Sequence, residues 1–252
     1  MIDASSQRAA YLGMRQIFEY NRPFYLSTMA AVIATSILAP RLPLLPGTLL
    51  LLAAGVAVFW ICSSLLVSHY IYDRSGLYRL DWLKGCLSRP PRRWINIHAG
   101  IDEISGGISS MFPDSEAQKV DIYDPLEMTE SSINRARRFS RVASSSASWH
   151  DLPAADREFD TAFLIFTGHE LRRHEARVRL LSRIAQVLQT GGELVLVEHL
   201  RDWRNFLAFG PGFFHFLSAR AWRDAVHAAG LSIRMRRTVT PFIHVFVLQR
   251  QS

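Results

Sequence analysis

The sequence predicts an α/β fold, a largely parallel sheet that ends in an antiparallel hairpin and is preceded by an apolar helical hairpin. Three observations carry that prediction. Between Phe24 and Tyr70 the chain has one charged residue, Arg41. From about Arg93 onward, short apolar runs alternate with longer stretches of helical spacing, which implies a sheet covered on both faces. The last two apolar runs are separated only by Thr240-Pro241, a connection too short for a crossover.

The 252 residues, 49% of them hydrophobic, suffice for one catalytic-size domain plus an appendage. Because the apolar excess sits in one segment, the remainder reads as an ordinary charged, soluble domain. Cys62 and Cys86 form neither a disulfide framework nor a metal-ligand spacing, and no His, Cys or carboxylate set has such a spacing, so no metal is expected. The net charge of +7, carried mostly by arginine, suggests cytoplasmic placement and contact with anionic lipid. The arginines are scattered along helices without a compact basic tract, so nucleic acid is not an expected partner.

Phe24 to Ala39 and Thr48 to Val67 are the two apolar runs, the second of about bilayer-spanning length. The turn between them, Pro40 to Gly47, holds three prolines and a glycine and makes a poor helix interior. Residues 23–69 therefore read as a transmembrane helical hairpin, with a re-entrant or interfacial hairpin as the alternative. Arg8, Arg15 and Arg22 precede it and Arg74, Arg79 and Lys84 follow it, which puts both ends on the cytoplasmic side of an inner or cytoplasmic membrane. Ala39-Pro40-Arg41 is a poor cleavage site, which argues against a signal peptide. Residues 1–22, with Tyr11, Leu12, Met14, Ile17 and Phe18 among arginines, are expected to lie at the interface as an amphipathic segment. Residues 70–91 connect the hairpin to a domain at 92–252.

Within that domain Trp94 to His98 is the first strand, followed by a helix through Ile104, Ile108 and Met111. Val120 to Tyr123 is the second strand, ending at Asp124-Pro125, and a helix follows through Met128, Ile133 and Ala136. The serine-rich residues 144–148 are an edge strand or a loop. Phe159 to Phe166 is the next strand. Leu171, Val178, Leu181, Ile184 and Leu188 recur at helical spacing, so a helix is expected over Glu170 to Gln189, capped by Gly191-Gly192. Glu193 to Glu198 is a buried central strand, Ala219 to Ala229 a helix stopped by Gly230, and Leu231 to Val239 with Phe242 to Leu248 the closing hairpin.

The stretch from Arg183 to Glu198, with Val187-Leu188-Gln189-Thr190-Gly191-Gly192 at its centre, resembles the helix and "VLKPGG" turn before the fifth strand of class I S-adenosylmethionine-dependent methyltransferases. Leu152-Pro153 before Phe159-Asp160 is similar to the family's "LP…FD" passage, and Asp124-Pro125-Leu126-Glu127-Met128 to the acidic end of its second strand. The resemblance covers about Arg92 to Arg250. It implies a Rossmann-like seven-stranded methyltransferase sheet with S-adenosylmethionine held beyond the carboxyl ends of the strands. Asp124 would then hold the ribose, and Asp151 with Leu152 would lie by the adenine. The first loop departs from the family. Of its usual glycines only Gly100 remains, between His98 and Asp102, and either Asp102 or Glu103 is placed to meet the methionine amino group. The connecting segment with Tyr72, Tyr78 and Trp82 would cover the active site, as N-terminal segments do in this family.

Methyl transfer needs an aligned donor and acceptor, sometimes a base, and a site closed to water. His169 and His199, after the fourth and fifth strands, are candidate general bases, and Arg201 is a candidate for an anionic group. Glu170 and Asp202 stand beside them as candidate pocket residues. Asn205 to Phe216 holds five phenylalanines around Gly-Pro-Gly, and its Phe213 and His215 are expected at the acceptor pocket, the segment acting as an apolar lid, a membrane-dipping loop or core packing. A membrane hairpin and an apolar loop together suggest O- or C-methylation of a lipid, quinone, polyene or isoprenoid-type acceptor. The rival readings are an inactive methyltransferase-fold scaffold or partner subunit and, against the missing Gly-x-Gly-x-x-Gly, a redox enzyme on a dinucleotide fold.

Overall fold

A computed structural model describes residues 10–138 and 144–250. Arg8, part of the basic flank, lies outside them. The N-terminal part is two long helices, α1 (Leu12–Leu38) and α2 (Leu44–His69), joined by a 3-10 turn at Ala39–Arg41. The expected amphipathic segment, from Leu12 onward, and the first apolar run are thus one continuous helix through Pro23, not two elements. Both helices are long and apolar enough to cross a membrane. Their leucines face outward, Leu44, Leu45, Leu52 and Leu66 all being exposed, as no buried core hairpin would have them. Tyr25 Oη and Ser64 Oγ, 2.8 Å apart and buried, tie the pair together.

The first turn of α1 has no cap of its own. Asp73 supplies one from beyond α2: its carboxylate accepts from the backbone N–H groups of Gly13 (2.6 Å) and Met14 (3.1 Å) and pairs with His69 Nδ1 at 2.9 Å. A carboxylate at a helix N-terminus satisfies orphan donors and complements the dipole. A β-carbon at residue 13 would stand 2.3 Å from Tyr72 Cβ, so glycine is what allows α1 to come this close.

The domain contains β1 (Arg93–His98), α3 (Ser105–Met111), β2 (Glu116–Asp121), α4 (Ser131–Arg137), β3 (Ser145–Ser146), β4 (Phe159–Ile165), α5 (His174–Val187), β5 (Leu188–His199), α6 (Trp203–Phe209), α7 (Ala219–Ala228), β6 (Leu231–Thr240) and β7 (Ile243–Arg250). The seven strands form one sheet in the order β3-β2-β1-β4-β5-β7-β6. The pairs from β3 to β5 are parallel; β7 runs antiparallel to both β5 and β6. The serine-rich patch is therefore the edge strand. β4 and β5 lie centrally, and their unbroken Val, Leu, Ile and Phe runs are buried on both faces.

Three expectations are corrected. Gly191-Gly192 does not cap the preceding helix: α5 ends at Val187, β5 begins at Leu188, and Gly191 takes a φ of +73° inside an irregularity in the β4–β5 register. The helix also starts later than Glu170, because Gly168–Glu170 is a 3-10 turn that opens the chain before α5. The second strand ends at Asp121, so Asp124 belongs to the loop after it.

One face of the sheet packs against α5 and α7 through Leu180, Leu181, Ile184, Trp222 and Val226. The other is covered by the connecting segment: Ile71, Leu77, Leu80, Leu83 and Cys86 pack on Trp94, Phe163, Val195, Val197 and Val245. Ile71 and Leu83 are completely buried, each stabilising the fold by roughly 1.5–3 kcal/mol. The segment after α2 is thus part of the domain's core, and it fixes the base of the hairpin to the sheet.

Candidate active site

A cavity of about 620 Å³ opens at the carboxyl ends of β1, β4 and β5. Its floor is built from the loops after those strands, including His98, Glu103, Thr167, His169 and His199. Its walls are not from the sheet. Ile17, Tyr20 and Tyr25 of α1, with Ser64 and Ser68 of α2, line one side. Tyr72 and Tyr78 of the connecting segment and Phe209, His215 and Phe216 of the aromatic segment complete it. Both N-terminal helices therefore reach the site at the strand ends.

The turn after β4 places His169 and Glu170. It runs so close to α7 that a β-carbon on Gly168 would stand 2.7 Å from Trp222 Cη2. His169 Nδ1 lies 2.7 Å from Glu198 Oε2, and its backbone N–H donates to Glu198 Oε1 at 3.2 Å. On the other side of the ring, Nε2 is 3.5 Å from Glu170 Oε1. The His215 ring meets the His169 ring edge-on, centroids 4.8 Å apart. Burial by itself lowers the basicity of His169, but the Glu198 and Glu170 carboxylates outweigh it and push its pKa up to about 10. Glu170 remains ionised: burial opposes this, but its hydrogen bond to His169 and the charges of His169, His215 and Arg172 hold its pKa below the usual value.

His199, the last residue of β5, differs in every respect. Nε2 meets Tyr72 Oη at 2.9 Å, Nδ1 meets Asn205 Oδ1 at 3.1 Å, and the ring stacks on Phe216. Burial pushes its pKa down to about 3, against the smaller raising effect of the Asn205 hydrogen bond. With both ring nitrogens engaged and its face on Phe216, it is placed to hold Tyr72 and the aromatic segment.

Arg201 does not face the cavity. Its guanidinium donates to the Phe216 carbonyl (Nε, 2.8 Å) and the Phe214 carbonyl (Nη2, 2.8 Å). Arg172 reinforces the same segment through the His215 carbonyl at 2.5 Å. Asp202 caps α6 by accepting from Asn205 N–H (2.9 Å) and reaches His244 at 3.3 Å. Phe213 packs on Phe206 and Phe214 rather than into the cavity. The aromatic segment is no free lid: α6 docks on α2, where Trp60 meets Phe206 edge-on and a β-carbon on Gly210 would stand 2.5 Å from the Trp60 ring.

The β1 side carries the other sequence candidates. Gly100 has a φ of +89°, and its N–H donates to His98 Nδ1 at 3.1 Å. In the neutral ring the proton then sits on Nε2, which is buried and has no hydrogen-bond partner among the described residues. Burial lowers the His98 pKa and keeps it neutral. Asp102 is engaged at the start of α3, accepting from Ile104 N–H (3.2 Å) and Ser105 N–H (2.9 Å). Glu103 accepts from Tyr78 Oη at the cavity wall. Asp124 accepts from Leu126 N–H (2.9 Å) and Trp149 Nε1 (3.2 Å) and does not line the cavity, nor do Gly100, Asp102, exposed Asp151 or buried Leu152.

Three residues that sequence reasoning left aside, Glu198, Asp121 and Arg137, matter here, as does Tyr72, expected only as part of the covering segment. Glu198 ends a run of buried apolar residues, the signal that could have marked it. Tyr72 anchors His199. Asp121, at the true end of β2, binds Arg137 Nη1 through both oxygens, at 3.0 and 2.8 Å. Arg137 in turn lies over the Tyr123 ring, 4.0 Å from its centre.

The fold is shared with known structures. A fold match with a methyltransferase of Aquifex aeolicus described as SAM dependent has a TM-score of 0.51 at 16% identity, covering 70% of this chain and 93% of the other. An O-methyltransferase family 2 protein of Planctomyces limnophilus, solved in complex with apigenin, matches with a TM-score of 0.53 at 13% identity over 81% and 69% of the two chains. The N,N-8-amino-8-demethyl-D-riboflavin dimethyltransferase of Streptomyces davawensis matches at 0.55 and 16% identity, over 99% of this chain and 74% of its own, so that the alignment takes in the two N-terminal helices. Among curated proteins, none matches in sequence. Residues 108–196 match the family model of a methyltransferase domain.

Residues 108–196 thus match a methyltransferase domain, within the fold of S-adenosylmethionine-dependent methyltransferases. The match begins after the β1 loop. The cofactor such a domain uses is S-adenosylmethionine, and the β1 loop can hold it on the cavity side, where His98, its Nε2 without a hydrogen-bond partner among the described residues, shares the lining with Glu103 and Thr167. On the Gly100 side the Arg137 guanidinium stands in the way. That side chain is flexible and 29% exposed, so the methyltransferase can admit a ligand there by moving one residue.

Proposed function

We propose that the protein is an S-adenosylmethionine-dependent methyltransferase that acts at the cytoplasmic membrane face on a lipophilic small molecule, with O-methylation of a hydroxyl group as the favoured reaction. The observation that carries the proposal is the cavity shared by the strand ends and both N-terminal helices. A water-soluble acceptor does not need walls supplied by Ile17, Tyr25 and Ser68 of helices whose other faces carry bare leucine. An acceptor that partitions into a bilayer does, since it can pass from lipid to the strand ends along those helices. The complex with apigenin recorded for one fold relative, and the riboflavin-type name of another, support a small-molecule acceptor.

The bound cofactor supplies an electrophilic methyl group. The chain does the rest by holding, orienting and excluding water. His98 Nε2–H is the donor available to the cofactor's carboxylate, and Glu103 the carboxylate nearest its amino group. Asp121 is the acid at the end of β2 that can take the ribose hydroxyls once Arg137 leaves it. Glu170 Oε2, buried and without a hydrogen-bond partner among the described residues, accepts the acceptor's O–H and turns its oxygen toward the donor. His169 is held in position by Glu198. His199, Tyr72 and Phe216 close the site against water.

A second reading, a catalytically silent membrane subunit, is favoured by one observation: Arg137 fills the place over Gly100. The experiment that separates the two is calorimetric titration of S-adenosylmethionine into the detergent-solubilised chain, followed by radiolabelled methyl transfer to lipophilic phenols, quinols and isoprenoid alcohols in lipid nanodiscs. Micromolar cofactor binding and transfer to a lipophilic acceptor is the expected result. Transfer confined to water-soluble acceptors would sink the lipophilic assignment. No cofactor binding by folded protein, with Arg137 intact or replaced, would leave the silent subunit.

A further inference from the structure

We propose that His169, Glu170 and His215 form a binding site for one divalent first-row transition-metal ion, with Glu198 bracing His169 from behind and an open coordination position turned to the cavity. A ligand atom from each of the three residues lies within 4.8 Å of those from the other two. Two imidazoles and one carboxylate on one side of a pocket is a ligand set that such ions take, leaving positions open for substrate. Coordination bonds of about 2.0–2.2 Å set ligand atoms roughly 3–3.5 Å apart, so a separation of 4.8 Å closes by about 1.3–1.8 Å, within reach of side-chain rotations.

The site does not rest on that clustering alone. Glu170 is nine-tenths buried, yet its Oε2 has no hydrogen-bond partner among the described residues. A buried carboxylate oxygen left bare is costly, and a cation between it and the two imidazoles removes that cost. The second observation is the 2.7 Å contact between His169 Nδ1 and Glu198. A carboxylate on the far ring nitrogen fixes the Nδ1 proton, so that a cation displaces the Nε2 proton facing Glu170 and takes that nitrogen's lone pair; this is the outer-shell arrangement that orients a metal-binding histidine. The elements are rigid. Glu198 is fully buried at the end of β5, and the Arg172 guanidinium, the cation nearest by, is engaged with the His215, His169 and Phe214 carbonyls. The nitrogen ligands favour a borderline ion of the Zn²⁺, Fe²⁺ or Mn²⁺ class over Mg²⁺ or Ca²⁺, which take oxygen ligands.

The inference rests on and refines the proposed function, since with an ion bound the acceptor oxygen is held at the ion's open position in place of a hydrogen bond to Glu170 Oε2, but ion binding is measured without any methyl transfer. The full chain in detergent is stripped with a chelator, dialysed, and titrated with Co²⁺ followed by visible absorption, and with Zn²⁺ and Mg²⁺ followed by calorimetry. Cofactor binding is measured on the same preparation. The expected result is one Co²⁺ or Zn²⁺ per chain at micromolar affinity or tighter, with d–d bands of low coordination number and no Mg²⁺ binding. Glu170→Gln and His215→Ala each weaken binding at least tenfold, and Glu198→Gln about tenfold, because the outer-shell partner is lost. Zn²⁺ raises the melting temperature of the parent and not of His215→Ala, which separates loss of the site from loss of the fold. No stoichiometric ion in a protein that still binds S-adenosylmethionine overturns the inference and leaves the methyltransferase reading intact. Binding unchanged in both Glu170→Gln and His215→Ala overturns it as well. Ion binding without cofactor binding upholds it and fails the methyltransferase reading instead.

Discussion

Arg137 Nη1 sits 3.0 and 2.8 Å from the two carboxylate oxygens of Asp121, and it stands where a side chain on Gly100 would have to be, 1.8 Å from an ideal β-carbon. The chain thus uses the openness of its one remaining loop glycine to seat its own arginine beside the acid that ends β2. A ligand for Gly100 and Asp121 competes with that arginine.

The competition has a measurable size. Arg137→Ala frees both groups, and S-adenosylmethionine binding is expected to tighten about tenfold, the value of one charge-assisted hydrogen bond that no longer has to be broken. Calorimetry on the parent and the variant reads it directly. A weaker affinity in the variant would mean that the guanidinium touches the cofactor rather than excluding it.

His199 gives the protein an acid limit. Its folded pKa of about 3 lies below the ordinary value of 6.5. The unfolded chain therefore takes up the proton first as pH falls, so the stabilisation is full above about pH 6.5 and is lost progressively between there and about pH 3. The loss amounts to a few kcal/mol at most. Melting temperatures measured from pH 7 to pH 4 should fall more steeply for the parent than for His199→Gln, whose absolute stability matters less than its flatter slope. Equal slopes would rule His199 out as the group responsible.

Gly168 sets the height of the turn that carries His169. Adding a methyl group at 168 drives it onto Trp222, which is rigid and 1% exposed, so Gly168→Ala should cost roughly 1–3 kcal/mol. For a chain of this size that is a drop of about 2–4 °C in Tm for each kcal/mol. Gly106→Ala, where a β-carbon meets nothing within 4 Å, is the matched control and should melt no lower than the parent.

The outward face of α2 is the surface expected to meet lipid. Leu52 is 62% and Val56 45% exposed, and each replaced by arginine costs about 2.5–3.5 kcal/mol at mid-bilayer. The double variant Leu52→Arg, Val56→Arg should leave the membrane pellet in flotation assays while the parent stays with the vesicles. Flotation of both proteins alike would show that this face does not meet lipid.

Arg201 is expected to act on the acceptor alone. Removing its bonds to the Phe214 and Phe216 carbonyls in Arg201→Ala loosens the segment that carries His215 and Phe216, raising the KM for acceptor several-fold with cofactor affinity unchanged. A loss of cofactor affinity of the same size would place Arg201 nearer the donor than its hydrogen bonds do.

Much of this was legible in residue order. Alternating apolar runs gave the strands because a central strand such as Leu194 to Val197 must be apolar on both faces whatever surrounds it. The short Thr240-Pro241 link forced the final strand to run antiparallel. The two charge-poor runs gave the helices of the hairpin, since few other structures tolerate that many exposed leucines. His169, Glu170 and His215 were marked as candidates by their place after buried strands, and the fold brings all three into one cavity.

What the sequence could not determine were distances between residues far apart along the chain. Arg201 reads as an anion binder until the carbonyls of Phe214 and Phe216 turn out to lie within 2.8 Å. Asp124 reads as the end of β2, but pairing with β1 stops at Asp121, and a three-residue shift moves the acid from strand to loop. Arg137, 37 positions from Gly100, carries no local signal at all. Periodicity and composition are set by which face of an element is buried, so one chain segment reports them. Which side chain fills a glycine's empty space, or braces a buried histidine, depends on the packing of several elements at once, and only the tertiary structure decides it.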